Sequence, residues 1–263
     1  MFFDFDKIDI MFNYNYNSIM STTFNKTPSE IEQVYVLDVY DQISEHFDQT
    51  RHTVWDKTKE FLDTIPNGSK VIEIGCGNGR NLAYLDKKEL MLTLVGVDTS
   101  RSFIEITRSK LDPKNSKVME ASNLDLSEIG DDSFDYTLSV AVIHHFSTVD
   151  RRRKAIEELV RITKPGGFIF IEVWAKNQPK TSKRKFEEND NFVSWKRKKD
   201  GKIYDRFYHV FDEGELVDLI SNLAVTQNEN NISENSILQS INKIEIVESF
   251  YANGNWGVIL KKL

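Results

Sequence analysis

The sequence predicts a doubly wound α/β domain with a mostly parallel sheet, because strand-like apolar runs alternate with helical segments along most of its 263 residues. The run "VIEIGCGNGR" passes from an apolar strand through three glycines into a helix, as the first turn of such a domain does. The chain ends in two strand-like runs joined by "ANGN", a hairpin-type turn. We therefore predict seven strands, of which the last is antiparallel.

The individual elements follow from the periodicity of apolar residues. Helices are expected near residues 29–47 and 54–62, and "PNGS" marks the turn after the second. Further helices are expected near residues 81–85, 102–109, 149–162 and 214–223. The predicted strands are, in chain order, "KVIEIG", "TLVGVD", "KVMEA", "SFDYTLSVAVI", "KPGGFIFIEVW", "NKIEIVESFY" and "WGVILKKL".

Two Asn-rich stretches fall outside this pattern. Residues 1–28 mix Phe, Tyr, Asn and Asp without period, as in "MFNYNYNS", and residues 227–235 read "QNENNISEN". Segments of this composition usually bury too little apolar surface to become ordered. We predict a disordered N-terminal extension over residues 1–28, a surface loop over Gln227–Asn235, and one folded domain over residues 29–263.

Composition limits the classes of function. No apolar run approaches the roughly 20 residues that span a bilayer, and the N-terminus has no basic segment followed by an apolar one, so we expect neither a membrane association nor a secretory signal. With Cys76 as the only cysteine, an intramolecular disulfide and a cysteine-based metal cluster are excluded. We expect no metal site and a cytoplasmic location, with the nucleus left open as a second compartment.

Charge is unevenly distributed along the chain. The formal net charge of −7 argues against nucleic-acid binding through the whole surface. Between Lys176 and Lys202, however, ten Lys and Arg residues stand against four Asp and Glu residues. This basic segment is either a solvated loop or a local face for an anionic partner.

The glycine-rich turn predicts the cofactor. Gly75, Gly77 and Gly79 let the backbone turn tightly and approach a ligand, and Asp98 ends the next strand, where a carboxylate accepts hydrogen bonds from ribose hydroxyls. A dinucleotide would favour GxGxxG, whereas this chain has GxGxG with Glu73 two residues before the first glycine, which disfavours a pyrophosphate. A cationic amino group or sulfonium suits that carboxylate. The pattern therefore favours S-adenosylmethionine and resembles the first motif of class I methyltransferases, which have a Rossmann-like sheet.

The other strand ends complete the predicted cleft, because ligands of open α/β sheets bind outside the carboxyl ends of the strands. Class I methyltransferases commonly have an aspartate for the adenine amino group after the third strand, where this chain has Ser122 and Asn123; Asn123 could serve through its amide oxygen. The fourth strand ends in "SVAVIHHF", of which we expect His144 to line the site and His145 to be structural. Cys76 is either a reactive thiol or, as we favour, a small side chain that fills the turn. The predicted cofactor-binding residues are Glu73, Gly75, Cys76, Gly77, Gly79, Asp98, Thr99, Ser122, Asn123, Leu124 and Val140.

Three stretches, "HFDQTRHTVW", "AVIHHF" and "RFYHVF", are far more specific than the glycine turn. Together with "EIGCGNGRNL", "VWAKNQ" and "NWGVILKK" they make residues 30–263 resemble the eukaryotic tRNA methyltransferases that esterify 5-carboxymethyluridine at the anticodon wobble position, including the methyltransferase domain of AlkB-type fusion homologues. The resemblance implies S-adenosylmethionine as cofactor and a tRNA anticodon loop as substrate. It also implies a small zinc-binding activator subunit that pairs with the edge strand, here near Lys117–Ala121, and an uncovered strand edge favours such pairing.

Under this hypothesis the acceptor is a carboxylate, which is already ionised at pH 7 because its pKa is about 4. No general base is needed, so proximity, alignment and exclusion of water account for the catalysis. The residues expected to hold the carboxylate or to reach the methyl group are Arg51, His52, His144, Arg206 and Tyr208. The residues expected to bind the base or the anticodon-loop phosphates are Trp55, Trp174, His209, Lys183, Arg184, Lys185, Lys196 and Arg197.

Alternative interpretations exist for these motifs and for the function. "TRHTVW" would also suit a helix start capped by Thr50 or Thr53, and "RFYHVF" a core strand with alternate residues packed inside. A methyltransferase for small acids or phenols would not need the basic segment. A methyltransferase-like subunit that binds a partner without turnover would not need the intact set of Glu73, glycines and Asp98.

Overall fold

A computed structural model describes residues 26–223 and 244–263. Residues 1–25 of the predicted N-terminal extension and the predicted loop Gln227–Asn235 lie outside the described residues. The first helix begins at Pro28, one residue before the predicted domain boundary, and the Thr27 hydroxyl accepts a hydrogen bond from the Glu30 N–H at its start. Of the helices that the structure describes, none combines the length and the apolar character needed to pass through a bilayer.

The described strands form a seven-stranded sheet and a separate two-stranded hairpin. The sheet has the order β3-β2-β1-β4-β5-β9-β8, in which the first five strands are parallel and β9 is antiparallel to both of its neighbours. This arrangement confirms the predicted doubly wound sheet of seven strands with an antiparallel last strand. The strands are β1 (Lys70–Ile74), β2 (Thr93–Asp98), β3 (Ser116–Glu120), β4 (Phe134–Val140), β5 (Thr163–Trp174), β6 (Asp190–Lys196), β7 (Ile203–His209), β8 (Ile244–Ala252) and β9 (Asn255–Lys262).

Helices cover both faces of the sheet. Alternate strand side chains point to opposite faces, so Ile72 and Ile169 pack into one apolar core while Val71 and Phe170 pack into the other. Burial on both faces explains why these strands are nearly continuous apolar runs in the sequence. The helices are α1 (Pro28–Glu32), α2 (Asp38–Asp48), α3 (Asp56–Asp63), α4 (Arg80–Asp86), α5 (Arg101–Arg108), α6 (Val149–Ile162) and α7 (Glu215–Ser221).

Two features of the fold were not predicted. The helix expected near residues 29–47 contains a π-helical turn, Gln33–Leu37, which separates α1 from α2. The basic segment is not a loop throughout, because its residues 190–196 form β6 and pair with β7 as an antiparallel hairpin. A small third core packs Val39 and Ile43 of α2 against Trp195 and Tyr204 of the hairpin.

Candidate active site

A cavity of about 370 Å³ lies at the carboxyl ends of β1, β2, β4 and β5, the edge at which open α/β sheets bind ligands. The glycine-rich turn lines one side of it, and α2 and β7 line the other. The structure therefore brings most of the predicted cofactor and acceptor residues together in one cavity. The predicted residues that line it are Arg51, Trp55, Glu73, Gly75, Cys76, Gly77, Asp98, Thr99, Ser122, Asn123, Leu124, Val140, Trp174, Arg184, Arg206 and Tyr208.

The three glycines of the turn all have positive φ, between +54° and +73°, a region that side chains disfavour. A Cβ atom at Gly75 would lie 2.4 Å from a methyl group of Val142, and one at Gly79 would lie 2.6 Å from Thr107. A Cβ atom at Gly77 would meet nothing within 4 Å, which leaves this backbone open to a ligand. Gly79 was predicted to contact the cofactor, but it does not line the cavity. It lies at the start of α4, where it packs against Thr107.

Glu73 presents a buried carboxylate oxygen to the cofactor side of the cavity. Glu73 is 2% exposed, and its Oε1 accepts a hydrogen bond from the Asn81 amide at 2.6 Å. Oε2 has no hydrogen-bond partner in the described part of the chain, and burial raises the pKa of Glu73 to about 7. A buried, unpartnered carboxylate oxygen is a favourable place for a cationic amino group.

Asp98 holds the glycine-rich turn in place from the end of β2. Its Oδ2 accepts a hydrogen bond from the Gly77 N–H at 2.8 Å, and its Oδ1 accepts one from the Ser100 N–H at 2.9 Å. The carboxylate lines the cavity next to Thr99, where ribose hydroxyls can reach it. Within the same turn, burial raises the pKa of the Cys76 thiol well above its ordinary value, which fits the favoured turn-filling role.

The segment after β3 supplies an amide to the cavity. Ser122 accepts a hydrogen bond from the Leu124 N–H at 3.2 Å, which stabilises the turn. Asn123 is 6% exposed, and its Nδ2 has no partner among the described residues. The Asn123 oxygen considered in the sequence analysis forms no hydrogen bond within the described residues, so its contact with the adenine amino group stays a prediction, and the unpartnered Nδ2 also suits an acceptor nitrogen of the adenine ring.

Arg206 of β7 is the centre of the acceptor side. It is 3% exposed, donates hydrogen bonds to the hydroxyls of Tyr208 at 2.8 Å and Tyr40 at 3.3 Å, and lies with its guanidinium 5.0 Å from the centre of the Trp195 ring. A guanidinium keeps its charge at any physiological pH. Arg206 is thus a buried cation that forms no ion pair with a carboxylate of the described residues.

Four further arginines line the same cavity, of which Arg80 lies over the Trp55 ring and Arg151 pairs with Glu32, which leaves Arg51 and Arg184 near Arg206. The Arg51 guanidinium lies 5.0 Å from the centre of the Trp195 ring and donates to the Thr50 carbonyl at 3.1 Å, and burial together with the nearby charge of Arg206 lowers its pKa. Arg184 is exposed at the rim, with its guanidinium 4.8 Å from the centre of the Trp174 ring. Neither forms an ion pair within residues 26–223 and 244–263. Arg51, Arg184 and Arg206, here called the arginine cluster, are therefore suited to an anion.

Aromatic rings form the walls beside the arginine cluster. Trp174 and Tyr208 are stacked, with ring centres 4.4 Å apart and planes at 21°. Trp55 lines the cavity too, but the Arg80 guanidinium covers its ring at 4.9 Å. The Arg184 guanidinium lies equally close to the Trp174 ring, at 4.8 Å, so each tryptophan lines the cavity with an arginine beside its ring, and the stacking of a nucleobase stays a prediction for both.

The structure reverses the predicted positions of the two adjacent histidines. Strand β4 ends at Val140, because Ala141 adopts a positive φ of 60° and a 3₁₀ turn, Ile143–His145, replaces the predicted end of the strand. His144 is fully buried outside the cavity lining, and its Nδ1 accepts a hydrogen bond from the Trp174 N–H at 3.1 Å. His145, which we expected to be structural, lines the cavity.

His145 belongs to a hydrogen-bond network with the acceptor side. Its Nδ1 lies 2.8 Å from the Phe207 carbonyl, so Nδ1 carries the proton, and its Nε2 lies 3.0 Å from the Tyr40 hydroxyl. Burial lowers the pKa of His145 to about 3, so the ring is neutral. Both ring nitrogens are therefore occupied by the protein.

Two more predicted contacts are corrected by the structure. His52 is exposed and lies outside the cavity lining, with its Nε2 2.8 Å from the Gln49 carbonyl. His209 also lies outside it, between the carboxylates of Asp190 at 2.7 Å and Glu215 at 2.6 Å. Burial alone would lower the pKa of His209, but these two hydrogen bonds raise it. The side chain thus fastens β7 to β6 and to α7.

The other residues of the basic segment lie on the surface. Lys183, Lys185 and Lys196 are exposed and do not line the cavity. Arg197 is also outside the cavity and pairs with Asp200. The segment therefore contributes Arg184 to the cavity, and its lysines form a basic surface outside it.

Tyr40 and Ala141 line the cavity but are not among the residues predicted from the sequence. Tyr40 lies in the helix expected near residues 29–47, and its hydroxyl hydrogen-bonds Tyr208 at 2.9 Å and His145 at 3.0 Å inside the cavity. A phenol among the apolar residues of a helix was the available signal, because a hydroxyl that packs inside needs a partner. For the strained backbone of Ala141 the sequence contains no signal.

Comparison with known proteins gives a consistent result. Residues 72–171 match a family described as a methyltransferase domain. A tRNA (carboxymethyluridine(34)-5-O)-methyltransferase of Schizosaccharomyces pombe is 31% identical, over 89% of this chain and 98% of its own. Proteins of that name from Xenopus tropicalis and Arabidopsis thaliana are 31% and 42% identical over 89% and 63% of this chain. The chain spans only 42% and 39% of the lengths of these last two.

Solved structures resemble this chain in fold. A Burkholderia thailandensis 1,6-didemethyltoxoflavin-N1-methyltransferase with bound S-adenosylhomocysteine has a TM-score of 0.58 and 16% identity, over 90% of this chain and 91% of its own. A complex of the Haloferax volcanii Trm112 methyltransferase activator with a methyltransferase matches with a TM-score of 0.55 and 16% identity, over 85% of this chain and 97% of its own. At these identities the likeness shows the fold, which is that of class I methyltransferases.

Proposed function

The chain belongs to the tRNA (carboxymethyluridine(34)-5-O)-methyltransferase family, and we propose that it methylates the carboxylate of 5-carboxymethyluridine at wobble position 34 of tRNA, with S-adenosylmethionine as the methyl donor. The S-adenosylhomocysteine in the Burkholderia relative supports the predicted cofactor. The unpartnered oxygen of Glu73 suits the amino group of S-adenosylmethionine, and the unpartnered amide of Asn123 suits its adenine ring. The open backbone at Gly77 leaves room for the cofactor to approach the turn.

The observation that carries the proposal is the opposite charge of the two sides of one cavity. Glu73 and Asp98 line the cofactor side with Arg80 as the one cation beside them among the described residues, whereas the arginine cluster lines the acceptor side. A sulfonium cofactor is a cation and a carboxymethyl acceptor is an anion, so each side has the charge that its ligand requires. A neutral acceptor would leave the buried charge of Arg206 without a counterion.

The residues of the chain act here by binding and orienting. Arg206 can hold the carboxylate through its planar fork, and its own orientation is fixed by the hydroxyls of Tyr208 and Tyr40. The aromatic rings around it keep water away from the reacting atoms. When bound, S-adenosylmethionine supplies the methyl group, which moves from sulfur to a carboxylate oxygen without any proton transfer.

Neither histidine near the acceptor side, in the part of the chain that the structure describes, is free to act as a general base. His145 has both nitrogens hydrogen-bonded, and burial lowers the pKa of His144 well below its ordinary value. A phenol has a pKa near 10 and would need such a base at pH 7. The geometry therefore favours a carboxylate acceptor over a phenol.

The basic segment and the edge of the sheet support two parts of the proposal that concern macromolecules. The exposed lysines Lys183, Lys185 and Lys196 lie on the segment that also supplies Arg184, so they are placed to contact anticodon-loop phosphates.

In the described sheet β3 is an edge strand, because it pairs only with β2. We propose that this edge binds a small zinc-binding activator of the Trm112 type. We also propose a cytoplasmic location.

The experiment is mass spectrometry of wobble nucleosides after reaction of tRNA that contains 5-carboxymethyluridine with the chain, S-adenosylmethionine and a Trm112-type activator. We expect the methyl ester to appear at position 34 and to disappear when the carboxylate is replaced by an amide. Esterification of the free nucleoside as fast as of the tRNA would favour a small-acid methyltransferase. Absence of the ester despite measurable S-adenosylmethionine binding would refute the proposal and favour a different acceptor.

A further inference from the structure

One buried amide joins the glycine-rich turn to the acceptor side. Asn78 is 2% exposed and lies between Gly77 and Gly79. Its Nδ2 donates one hydrogen bond to the backbone carbonyl of Arg51 at 2.8 Å and a second to Oδ1 of Asp48 at 2.9 Å. The side chain of a residue in the cofactor turn therefore fixes the backbone of an arginine of the acceptor side.

Lys110 completes this junction. Its Nζ donates to the Asn78 carbonyl at 2.9 Å and forms an ion pair with Asp48. Burial would raise the pKa of Asp48, but the hydrogen bonds from Lys110 and Asn78 outweigh burial and lower it, so the carboxylate is ionised at neutral pH. Asp48, Asn78 and Lys110, here called the Asn78 junction, form a charge-assisted network that is stronger than a neutral hydrogen bond.

The cofactor side is connected to the same helix at a second place. Ser100 donates its hydroxyl to Oδ1 of Asp41 at 2.5 Å, and the Ser100 N–H donates to Asp98. Asp98 also accepts the Gly77 N–H, next to Asn78 in the chain. Helix α2, which carries Tyr40 into the cavity, is thus attached near both of its ends to the two loops of the cofactor side.

We propose that Asn78 is a positioning residue that couples the two halves of the site, so that an occupied cofactor turn fixes Arg51 for the acceptor carboxylate. This inference rests on the proposed function. Its consequence is that the cofactor and the tRNA bind with positive coupling, and by linkage each ligand strengthens the binding of the other by the same factor. Cofactor contacts that order Gly77 and Asp98 are transmitted through the Asn78 junction to the acceptor side.

The test measures binding by the full chain, reconstituted with a Trm112-type activator. The dissociation constant of an anticodon stem-loop RNA that contains 5-carboxymethyluridine is determined with and without saturating S-adenosylhomocysteine. We expect S-adenosylhomocysteine to tighten RNA binding about tenfold in the unaltered chain, within the usual range of such couplings. In Asn78→Ala the factor should fall to about 1–2, and the KM for tRNA should rise with little change in kcat.

Two further variants make the test specific. Asp48→Ala breaks the same junction without changing the glycine-rich turn, because Asp48 is half-buried at the end of α2, and it should uncouple the sites in the same way. Asn115→Ala removes an amide–carboxylate hydrogen bond of the same type, to Asp86 at 3.1 Å, away from the cavity, and should keep the full coupling.

Each outcome decides the inference. Loss of coupling in Asn78→Ala and Asp48→Ala, with coupling intact in Asn115→Ala, supports it. Coupling that survives in Asp48→Ala, or that is absent from the unaltered chain, overturns it while leaving the proposed function in place. If Asn78→Ala no longer binds S-adenosylhomocysteine, Asp48→Ala decides alone. An unaltered chain that binds S-adenosylhomocysteine but not the modified RNA contradicts the proposed function and the inference together.

Discussion

The two sides of the cavity differ in charge and in the way the chain builds them. The cofactor side presents the carboxylates of Glu73 and Asp98, which lie on neighbouring parallel strands and are separated by only one helix in the sequence. The acceptor side presents arginines and aromatic rings that come from α2, the segment after it, the end of β5, the segment between β5 and β6, and the hairpin strand β7. One side is a local supersecondary unit, and the other is assembled from distant parts of the chain.

This difference indicates how the two sides of the cavity contribute to the binding of the two ligands. The cofactor side uses a turn that many α/β proteins share, and the carboxylates of Glu73 and Asp98 give it the negative charge that would suit a cation. The acceptor side takes Trp174 from the seven-stranded sheet and otherwise depends on tertiary packing, above all on the small core between α2 and the hairpin. Substitutions on one side should therefore change the binding of one ligand and spare the other.

The largest effect is expected at Arg206. Arg206→Met should lower kcat/KM for tRNA about 100-fold, because charge-assisted hydrogen bonds to a buried carboxylate contribute about 1.5–3 kcal/mol each and a tenfold change corresponds to about 1.4 kcal/mol. Affinity for S-adenosylhomocysteine, measured by calorimetry, should change less than about twofold, since Arg206 lies on the acceptor side.

The matched control for this prediction is Arg206→Lys. It keeps the charge but loses the planar fork that is oriented by Tyr208 and Tyr40, so it should recover only part of the activity. A loss of S-adenosylhomocysteine affinity as large as the loss of activity would show that Arg206 supports the whole cavity and not the acceptor side alone.

The next effect concerns Glu73 on the cofactor side. Its pKa of about 7 lies above the ordinary value, so the group gains a proton as the pH falls through 7 and can then no longer pair with a cationic amino group. Affinity for S-adenosylhomocysteine should therefore decrease between pH 8 and pH 6. Glu73→Gln should bind about tenfold more weakly at pH 8, for the loss of one charge-assisted hydrogen bond.

The pH profile of Glu73→Gln separates this carboxylate from Glu172, whose pKa burial also raises to about 7. If Glu73 is responsible, calorimetry on the variant should show an affinity that is nearly constant between pH 6 and pH 8. A variant that keeps the full pH dependence would assign it to Glu172 or to another group.

Arg51 and His52 are adjacent in the sequence, but only Arg51 lines the cavity. Arg51→Ala should raise the KM for tRNA about tenfold, the effect of about one lost charged interaction, with S-adenosylhomocysteine binding retained. His52→Ala should change both constants less than about twofold, because His52 is exposed and outside the cavity. Equal effects of the two substitutions in steady-state assays would show that the segment acts as a unit.

The sequence was sufficient to predict the fold and to identify most residues of the glycine-rich turn that line the cavity, because strand periodicity and the glycine pattern are local signals. The bounds of α6 agree with the expected helix at residues 149–162, and Glu73, Gly75, Gly77 and Asp98 all line the cavity.

The errors concentrate on the acceptor side, where the position of a side chain depends on distant contacts. His145 lines the cavity in place of His144 because the backbone turns at Ala141. His209 lies outside the cavity because its ring is hydrogen-bonded to two carboxylates, one of them on α7. Tyr40 became a site residue only through contacts with residues more than 100 positions away. No periodicity in the sequence reports such contacts.

The smallest expected effect comes from the lysines of the basic segment. Lys183→Ala and Lys185→Ala should each weaken tRNA binding a few-fold and reduce the slope of log affinity against log salt by about 1, as for single phosphate contacts. Lys87→Ala, an exposed lysine at the end of α4 outside the cavity, should leave the slope unchanged. Affinity for the modified nucleoside alone should not change in any of the three, because the lysines lie outside the cavity. An unchanged salt slope in Lys183→Ala and Lys185→Ala would mean that the phosphates are bound elsewhere, on the activator or on another face of the chain.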